Sequence, residues 1–512
     1  MSAPHPLVMI GLDAADLDLV RRLAGEGALP TLRRLMEAGT TGALAGNASR
    51  FAGGVWPTFY TGRDVAAHGL FHNKLWRHER MRCEIARADW FPEPPFWERL
   101  GGSGLRLAVL DVPMTVATPK PIDGISLAGW GTHDVIARGA WPPALWDELV
   151  QAHGKPRMPA ELFGAQTPRT LERLETELLA ATEQMARIGT SLLARERWDL
   201  FLLVLGGLHR GGHYLWDLSQ IAADRLSPDR RRRLETSLRR LYEAADRALG
   251  AVLAAAPPGA RVLVFAVHGM GPNTAWADRC GDILSRIQSG GAGASPRQGL
   301  LYAIKRRLPW PLVRAITTRL PASVQSKLVT LWSGSMFDWR TTRAFPLPMD
   351  HAGYLRVNLR GREPEGIVEP GGEYQALCDE LAAGFESFRD LATGRPIVRR
   401  VHRLGELTAA DATARDRLPD VVIEWADVSP IHSPGIVSPR YGEMRWEPAG
   451  RLPSGRAGNH RAHGWFVAAG PGIPVGVMAR DHDIRDLAPT VWRWLGAGPA
   501  GGFEGSPIPE LG

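Results

Sequence analysis

Short apolar runs recur along the chain, and stretches with a helical period separate them. The runs lie at residues 6–13, 105–111, 200–206, 261–269, 354–359, 420–425 and 464–470. Several are apolar throughout rather than alternating, which is typical of strands buried on both faces of a parallel sheet. Helical patterns follow the first run and precede the fourth. This alternation predicts an α/β protein with a doubly wound, mostly parallel sheet flanked by helices.

One segment, residues 285–342, does not fit the alternation. It is basic, apolar and interrupted by prolines, and a Gly/Ser-rich stretch runs through its start. We interpret it as an insertion of short amphipathic helices that forms a cap, a dimer surface or a membrane-surface patch. The predicted core therefore comprises residues 1–284 and 343–512, and the mainly helical residues 135–195 are a candidate lid.

Composition restricts the class of protein. The chain has 512 residues, of which 44% are hydrophobic and 22% charged, as is ordinary for a soluble globular enzyme. The net charge is +7, and almost all the basic residues are arginine. It fits an anionic substrate at least as well as a nucleic acid, so we predict no specific nucleic-acid binding.

Cysteine content and apolar run lengths exclude further classes. The three cysteines are far apart and no CxxC occurs, which excludes a disulfide framework and a cysteine-based zinc site. We find no basic signal-peptide region and no run long enough to span a bilayer. We therefore expect a cytoplasmic protein without a transmembrane segment.

Aspartate and histidine residues flank the apolar runs. Asp13 ends the first run, His209 and His213 follow the third, His268 lies in the fourth and His460 precedes the last. Because chemistry gathers at the carboxyl ends of strands in such sheets, these residues are expected to converge. Histidine and carboxylate ligands suit zinc, and histidines four apart share one helix face. The plainer alternatives are a helix cap for Asp13, a surface pair for His209 and His213, and a core histidine for His268.

The segments that carry these residues resemble the alkaline phosphatase superfamily, in its type I phosphodiesterase / nucleotide pyrophosphatase branch and especially its bacterial members. The resemblance covers nearly the whole chain and rests on VMIGLDAAD, WPTFYTGRDVAAHGLF, HRGGHYLW, VLVFAVHGMG, GYLRVNLRGREPEGIVEPGGEYQAL and GNHRAHGWFVAAGPGI. It implies an alkaline-phosphatase-like fold and two metal ions, commonly zinc, that bind a phosphate ester. It also implies a Thr or Ser nucleophile that attacks phosphorus before water releases the phosphoryl group.

Three positions depart from the family pattern. Val267 stands where the resemblance implies an aspartate next to His268, and His209 stands where it implies another. Ala52 occupies the position of the nucleophile, so Ser49, three residues upstream, becomes the candidate. Because valine cannot ligate a metal, the resemblance implies an altered metal site.

We therefore expect a three-histidine site with an open position, formed by His209, His213 and His460. Asp13 and His268 form the remnant of the other site, or a second site. The expected cofactor is zinc, or another divalent metal such as Mn²⁺, with one ion firmly bound and the second uncertain.

The predicted function is metal-dependent hydrolysis of phosphate esters, of the phosphodiesterase or nucleotide pyrophosphatase type. Ser49 is the candidate nucleophile, with a water activated by the metal as the alternative; Thr58 is weaker because it lies inside a presumed helix. Arg50 is the candidate substrate-binding residue, through its planar guanidinium. The alternatives are a catalytically degenerate binding or regulatory protein, and a phosphomutase or other phosphoryl-transfer enzyme. The expected partner is a small phosphate ester or nucleotide, and a homodimer is the candidate assembly.

Overall fold

The computed structural model describes residues 5–91, 93–115, 121–132, 136, 138–159, 162, 164, 166–221, 225–291, 337–349, 351–408, 414–446, 452–480, 482–499 and 501–512. The chain divides into two compact units. The first unit comprises Met1–Asn73, Arg87–Asn273 and Arg451–Gly512, and the second comprises Lys74–Ala86 and Thr274–Gly450. Most of the predicted insertion lies outside the described residues, so the core-and-insertion organisation stays a prediction. In the described part of the chain, no helix has the length and apolarity needed to cross a membrane.

The strands, in chain order, are β1 (Leu7–Leu12), β2 (Thr40–Ala45), β3 (Lys74–Arg77), β4 (Arg82–Ile85), β5 (Leu107–Leu110), β6 (Gly124–Ala128), β7 (Gly139–Trp141), β8 (Leu200–Leu205), β9 (Arg261–Ala266), β10 (Gly269–Pro272), β11 (Ala344–Pro346), β12 (Gly353–Val357), β13 (Arg389–Asp390), β14 (Val398–Arg403), β15 (Val421–Trp425), β16 (Gly435–Ser438), β17 (Gly442–Arg445), β18 (Gly458–Arg461), β19 (Gly464–Ala469) and β20 (His482–Asp483). All the apolar runs singled out in the sequence contain a strand. The additional strands are mostly short or polar, which is why hydrophobic patterning does not predict them.

The α-helices are α1 (Leu17–Gly25), α2 (Pro30–Ala38), α3 (Ala48–Phe51), α4 (Val55–Thr61), α5 (Val65–His68), α6 (Phe96–Arg99), α7 (Ala144–His153), α8 (Pro168–Leu193), α9 (Gly207–Leu215), α10 (Pro228–Glu235), α11 (Ser237–Ala254), α12 (Cys280–Gln288), α13 (Gly372–Glu386), α14 (Leu404–Leu407) and α15 (Leu487–Trp494). The helical pattern after β1 is split into α1 and α2. Gly27 adopts φ 79° between them, and Pro30 occupies the first turn of α2, a position that favours proline.

The first unit is built around a nine-stranded sheet with the order β20-β2-β19-β9-β1-β8-β5-β6-β7. Parallel pairs join β9, β1, β8, β5 and β6, whereas β19 and β7 run antiparallel to their neighbours. Every residue of β1, β5 and β8 is buried. Helices α8 and α11 contribute to the core on one face. The predicted α/β class and mostly parallel sheet are therefore confirmed.

The reversed direction of β19 has a consequence for the edge of this sheet. Trp465, at the start of β19, pairs with Ala266, at the end of β9. Residues that precede β19 therefore emerge at the same edge as residues that follow the parallel strands. Beyond that edge β10 and β18 continue as an antiparallel ribbon, in which Met270 is opposite His460.

The second unit contains antiparallel sheets with the orders β11-β12-β15-β14 and β13-β16-β17, and the pair β3-β4. The GYLRVNLRGREPEG segment forms β12 and the turn after it. Arg356 is fully buried there and lies 2.8 Å from the Glu363 carboxylate. Arg362 bonds both Glu363 and Asp420. In this chain the segment thus forms a buried ionic network within the second unit.

Candidate metal centre

Helix α9 begins directly after β8 and carries the first two histidines of the site. His209 and His213 are four residues apart, and their ring centroids are 5.0 Å apart. Both are buried, at 5% and 3% exposure. The surface-pair alternative is therefore wrong, because these side chains face the interior of the first unit.

Glycines let α9 approach its neighbours closely: Gly211 lies against α11, and Gly212 lies against Gly458 of β18. A Cβ at Gly211 would lie 2.4 Å from the Leu241 side chain of α11. A Cβ at Gly458 would lie 2.1 Å from the carbonyl oxygen of Gly212, so the α9 and β18 backbones touch at these two glycines. The HRGGH spacing therefore places histidines on one side of a helix while glycines bring that helix against β18.

His213 and His460 meet across this contact. Their Nε2 atoms are 3.2 Å apart. The Nδ1 of His213 donates to the carbonyl oxygen of Gly458 at 3.0 Å, and a carbonyl only accepts hydrogen bonds. In neutral His213 the Nε2 lone pair is therefore directed toward His460.

Asp13 is the carboxylate of the cluster, and it is completely buried. Its Oδ1 accepts a hydrogen bond from Trp56 Nε1 at 2.9 Å, and its Oδ2 lies 3.0 Å from His209 Nδ1. His268 Nε2 is 3.5 Å from Oδ1. The next residue, Ala14, has φ 62°, a left-handed conformation that costs a non-glycine residue about 1–2 kcal/mol. The chain accepts this strain directly beside the buried carboxylate.

The structure brings all five predicted ligands into two overlapping groups. In each group the candidate ligand atoms lie within 4.8 Å of one another; the first is His209, His213 and His460, and the second is Asp13, His209 and His268. Two imidazole nitrogens bound to one tetrahedral zinc at about 2.0–2.1 Å would be about 3.3 Å apart. The spacing of the His213 and His460 Nε2 atoms fits that geometry, so the residues present fit a zinc ion.

The departure at Val267 is also visible in the structure. Val267 follows β9, is fully buried and offers no ligand atom beside His268. His268 Nδ1 lies 3.1 Å from the Gly269 carbonyl oxygen, which directs its Nε2 toward Asp13. The second group therefore contains one carboxylate.

The helix cap proposed as an alternative role for Asp13 belongs to Asp16. Asp16 is the N-cap of α1, and its side chain accepts from Leu19 N at 3.0 Å. Burial raises the pKa of Asp16 above its usual value. Asp13 does not cap this helix, because its two oxygens face Trp56 and the histidines.

The candidate catalytic residues lie on short helices of the first unit. Ser49 and Arg50 are partly exposed on α3, which lies against β18, the strand of His460. Ala52 begins a 3₁₀ turn directly after α3. Thr58 is buried in α4, with its Oγ1 3.1 Å from His68 Nε2. Of the two hydroxyl candidates, Ser49 is thus the one on an element beside a histidine of the cluster.

Sequence reasoning missed Trp56, which contacts the cluster, and Asp111, a buried carboxylate at the end of another strand of the same sheet. The indole N–H of Trp56 donates to the Oδ1 of Asp13, a contact that no local sequence pattern predicts. Asp111 ends β5 as Asp13 ends β1; it accepts from the backbone N–H groups of Trp130 and Gly131, and burial raises its pKa to about 6. An aspartate at the end of an apolar run was the available signal for Asp111.

Comparisons with known proteins place this chain in a family. The model of the family described as "Type I phosphodiesterase / nucleotide pyrophosphatase" matches residues 7–428. No curated protein sequence matches the chain.

Solved structures share the fold at low sequence identity. Phosphonoacetate hydrolase from Sinorhizobium meliloti, in complex with phosphonoacetate, is 15% identical, with a TM-score of 0.52 over 97% of this chain and 96% of that one. Murine ectonucleotide pyrophosphatase / phosphodiesterase 5, in complex with AMP, is 11% identical, with a TM-score of 0.50 over 96% of this chain and 95% of that one. These likenesses concern the fold, and the family match carries the assignment. The chain belongs to the type I phosphodiesterase / nucleotide pyrophosphatase family.

Proposed function

We propose that the protein is a metal-dependent hydrolase of phosphate esters, of the phosphodiesterase or nucleotide pyrophosphatase type. The observation that carries the proposal is the convergence of His209, His213 and His460 at the sheet edge, in a chain of a phosphoric ester hydrolase family. These three residues would hold the main metal, with zinc preferred and Mn²⁺ as the alternative. Asp13 and His268 would be the remaining ligands of the family's other metal site.

A bound zinc ion would polarise a phosphoryl oxygen and lower the pKa of water at the site. The chain's own residues prepare the site for this chemistry. The Gly458 carbonyl fixes the ring orientation of His213, and the burial of α9 excludes bulk water from behind the histidines. We assign Ser49 as nucleophile and Arg50 as the residue that binds the phosphate group, since both lie on the helix beside β18.

Family membership favours hydrolysis over the two alternatives. A degenerate binding protein is motivated by Ala52 and Val267, and a phosphomutase would move phosphate without releasing it. A small phosphate ester or nucleotide as substrate, a cytoplasmic location and a homodimer remain predictions.

Hydrolysis of an aryl phosphodiester in the presence of zinc tests the proposal. The wild-type protein should release the aryl alcohol, and His213→Ala should reduce the rate to background, because it removes a proposed ligand. His463→Ala is the matched control, since His463 is exposed three residues beyond His460. Absence of turnover in the wild type, with zinc bound, would support the binding-protein alternative instead.

A further inference from the structure

A cavity of about 550 Å³ lies in the first unit between α1, the end of α9 and the start of α11. Its volume is that of a site for a small molecule. A tryptophan and three leucines supply apolar surface, and most of the other lining residues are charged; the proposed hydrolysis uses none of them. The lining residues are Asp16, Asp18, Leu19, Arg22, Leu23, Trp216, Glu235, Thr236, Leu238 and Arg239.

The two arginines of the cavity are paired with carboxylates outside it. Arg22 Nη1 lies 3.4 Å and Arg239 Nη1 lies 2.5 Å from the Glu26 carboxylate, which is not part of the lining. Arg239 also pairs with Glu243, at 2.9 Å. The positive charges of the lining are therefore already shared with carboxylates that a ligand in the cavity would not contact.

The aspartates and the tryptophan of the lining favour a cation. Burial raises the pKa of Asp16, and the charge of Asp18 adds to this effect; the charge of Arg461 opposes it without cancelling it. A cation beside these two carboxylates would relieve their repulsion. Trp216 presents an indole ring in the same cavity, and aromatic faces attract cations, including quaternary ammonium ions.

One wall of the cavity touches the backbone that orients His213. A Cβ at Gly458 would lie 2.9 Å from the Cβ of Trp216, so these two residues are in close contact. The Gly458 carbonyl oxygen accepts from His213 Nδ1 at 3.0 Å. A ligand that displaces Trp216 would therefore displace a carbonyl that fixes the ring of a proposed metal ligand.

A second wall stands in the same relation to His268. A Cβ at Gly269 would lie 3.0 Å from Asp16 Oδ2, and the Gly269 carbonyl oxygen lies 3.1 Å from His268 Nδ1. The cavity thus contacts, at two separate points, the backbone groups that lie behind the histidine cluster.

We propose that this cavity is an effector site for a small organic ammonium ion that carries an aromatic or other apolar group. The apolar group would pack on Trp216 and the leucines, and the cationic head would lie toward Asp16 and Asp18. The bound ion would shift the Gly458 and Gly269 carbonyls, so that its binding and zinc binding change each other's affinity by the same factor. The coupling, but not the binding, rests on the proposed three-histidine site.

Probes of similar shape and different charge test the ligand class. Benzyltrimethylammonium, neutral benzyl methyl sulfone and anionic phenylmethanesulfonate are each titrated into the zinc-loaded protein by calorimetry. The quaternary nitrogen has no lone pair, so this cation cannot itself bind zinc. We expect it to bind about 5- to 10-fold more tightly than the sulfone, and the sulfonate not to compete with it.

Variants of the lining locate the binding. Trp216→Leu should weaken binding of the cation about 3- to 30-fold, because leucine is apolar but lacks the aromatic face. Asp18→Asn should weaken it about 2- to 5-fold. Asp229→Asn is the matched control, because Asp229 is likewise an exposed aspartate in the first turn of a helix, α10, and is not part of the lining.

The coupling is measured as the Kd for zinc, by chelator competition, with and without saturating benzyltrimethylammonium. We expect a change of about 5-fold or more in the wild type and in Asp229→Asn. A cation that binds without changing the Kd for zinc would contradict the effector role.

The other failures are distinguishable. No binding of the cation, or a sulfonate that competes with it at equal affinity, would overturn the site and leave the proposed function standing. No zinc in the wild type would overturn the proposed metal centre and the effector role with it, whereas the probe series would still decide whether the cavity takes the cation. If Trp216→Leu does not fold, Asp18→Asn decides, because binding equal to that of Asp229→Asn would exclude this cavity.

Discussion

The Nε2 atoms of His213 and His460 lie 3.2 Å apart although the two residues are 247 positions apart in the chain. Two features of the fold produce this contact. The antiparallel direction of β19 returns the chain to the edge where β8 ends, and the glycine contact between α9 and β18 removes the side chains that would keep the two elements apart. The separation matches that of two imidazole ligands on one zinc ion.

The dialysed protein should contain close to one zinc per chain, and His213→Ala should lose it. Removing one of three proposed ligands leaves two, which hold zinc weakly. Elemental analysis of both proteins beside the His463→Ala control measures this directly. If the wild type contains no metal, a hydrogen bond between the two imidazoles accounts for the short distance, and the metal site is refuted.

Gly458→Ala should weaken both the fold and zinc binding. The added Cβ would lie 2.1 Å from the Gly212 carbonyl oxygen, so β18 must move away from α9 and carry His460 with it. We expect a loss of about 1–3 kcal/mol in the free energy of unfolding, as is typical of overpacking, together with a higher Kd for zinc.

Gly25→Ala is the matched control for this substitution. Gly25 ends α1, and a Cβ there would meet nothing within 4 Å. Alanine is favoured over glycine in helices, so stability should be unchanged or slightly higher. Urea unfolding and chelator competition on both variants measure the two effects. Unchanged zinc affinity in Gly458→Ala would show that the contact does not position His460.

Ser49→Ala should remove the phosphoryl-enzyme step. If Ser49 is the nucleophile, the wild type shows a burst of aryl alcohol before steady turnover, and the variant loses both the burst and most of the rate. Thr58→Ala is the comparison, because Thr58 is the other hydroxyl candidate and its side chain bonds His68 inside the fold. A burst that persists in Ser49→Ala would exclude Ser49 and favour water as nucleophile.

As the pH decreases below 6.5, the fold should lose stability because of His68. His68 is buried, and this burial lowers its pKa to about 3. The folded state therefore holds the neutral imidazole, while the unfolded state takes up a proton near pH 6.5. Its contribution to stability is fully present above pH 6.5 and is lost as the pH falls toward 3, by about 2 kcal/mol at pH 5.

His68→Gln isolates this effect. Glutamine does not titrate, so the stability of the variant should depend less on pH between 5 and 7. At pH 7.5 the variant should be less stable by about 1 kcal/mol, because the Leu70 N–H loses the ring nitrogen that accepts it at 3.1 Å. Urea unfolding across this pH range measures both. Parallel curves for the wild type and the variant would contradict the assignment of the acid sensitivity to His68.

The sequence predicted the strands of the buried sheet and the residues at their ends. Apolar runs are local signals, so β1, β5, β8, β9 and β19 could be identified before any contact was known. The short strands β10 and β18, the second of which contains His460, carry no such signal. The helix cap shows the same limit: the sequence offers Asp13 as a cap, and only the folded chain, in which the Asp16 side chain accepts from Leu19 N, assigns the role to Asp16.

By itself, the sequence determined the α/β class, the family resemblance and the set of candidate ligands, because these depend on residue types in order along the chain. Only the tertiary structure decided which ring nitrogen faces which partner, that Trp56 binds Asp13, and that residues 74–86 join a second unit with residues 274–450. The physical reason is that these features depend on strand direction, close backbone approach and hydrogen bonds between distant residues. Such contacts are fixed when the whole chain packs, and no local pattern records them.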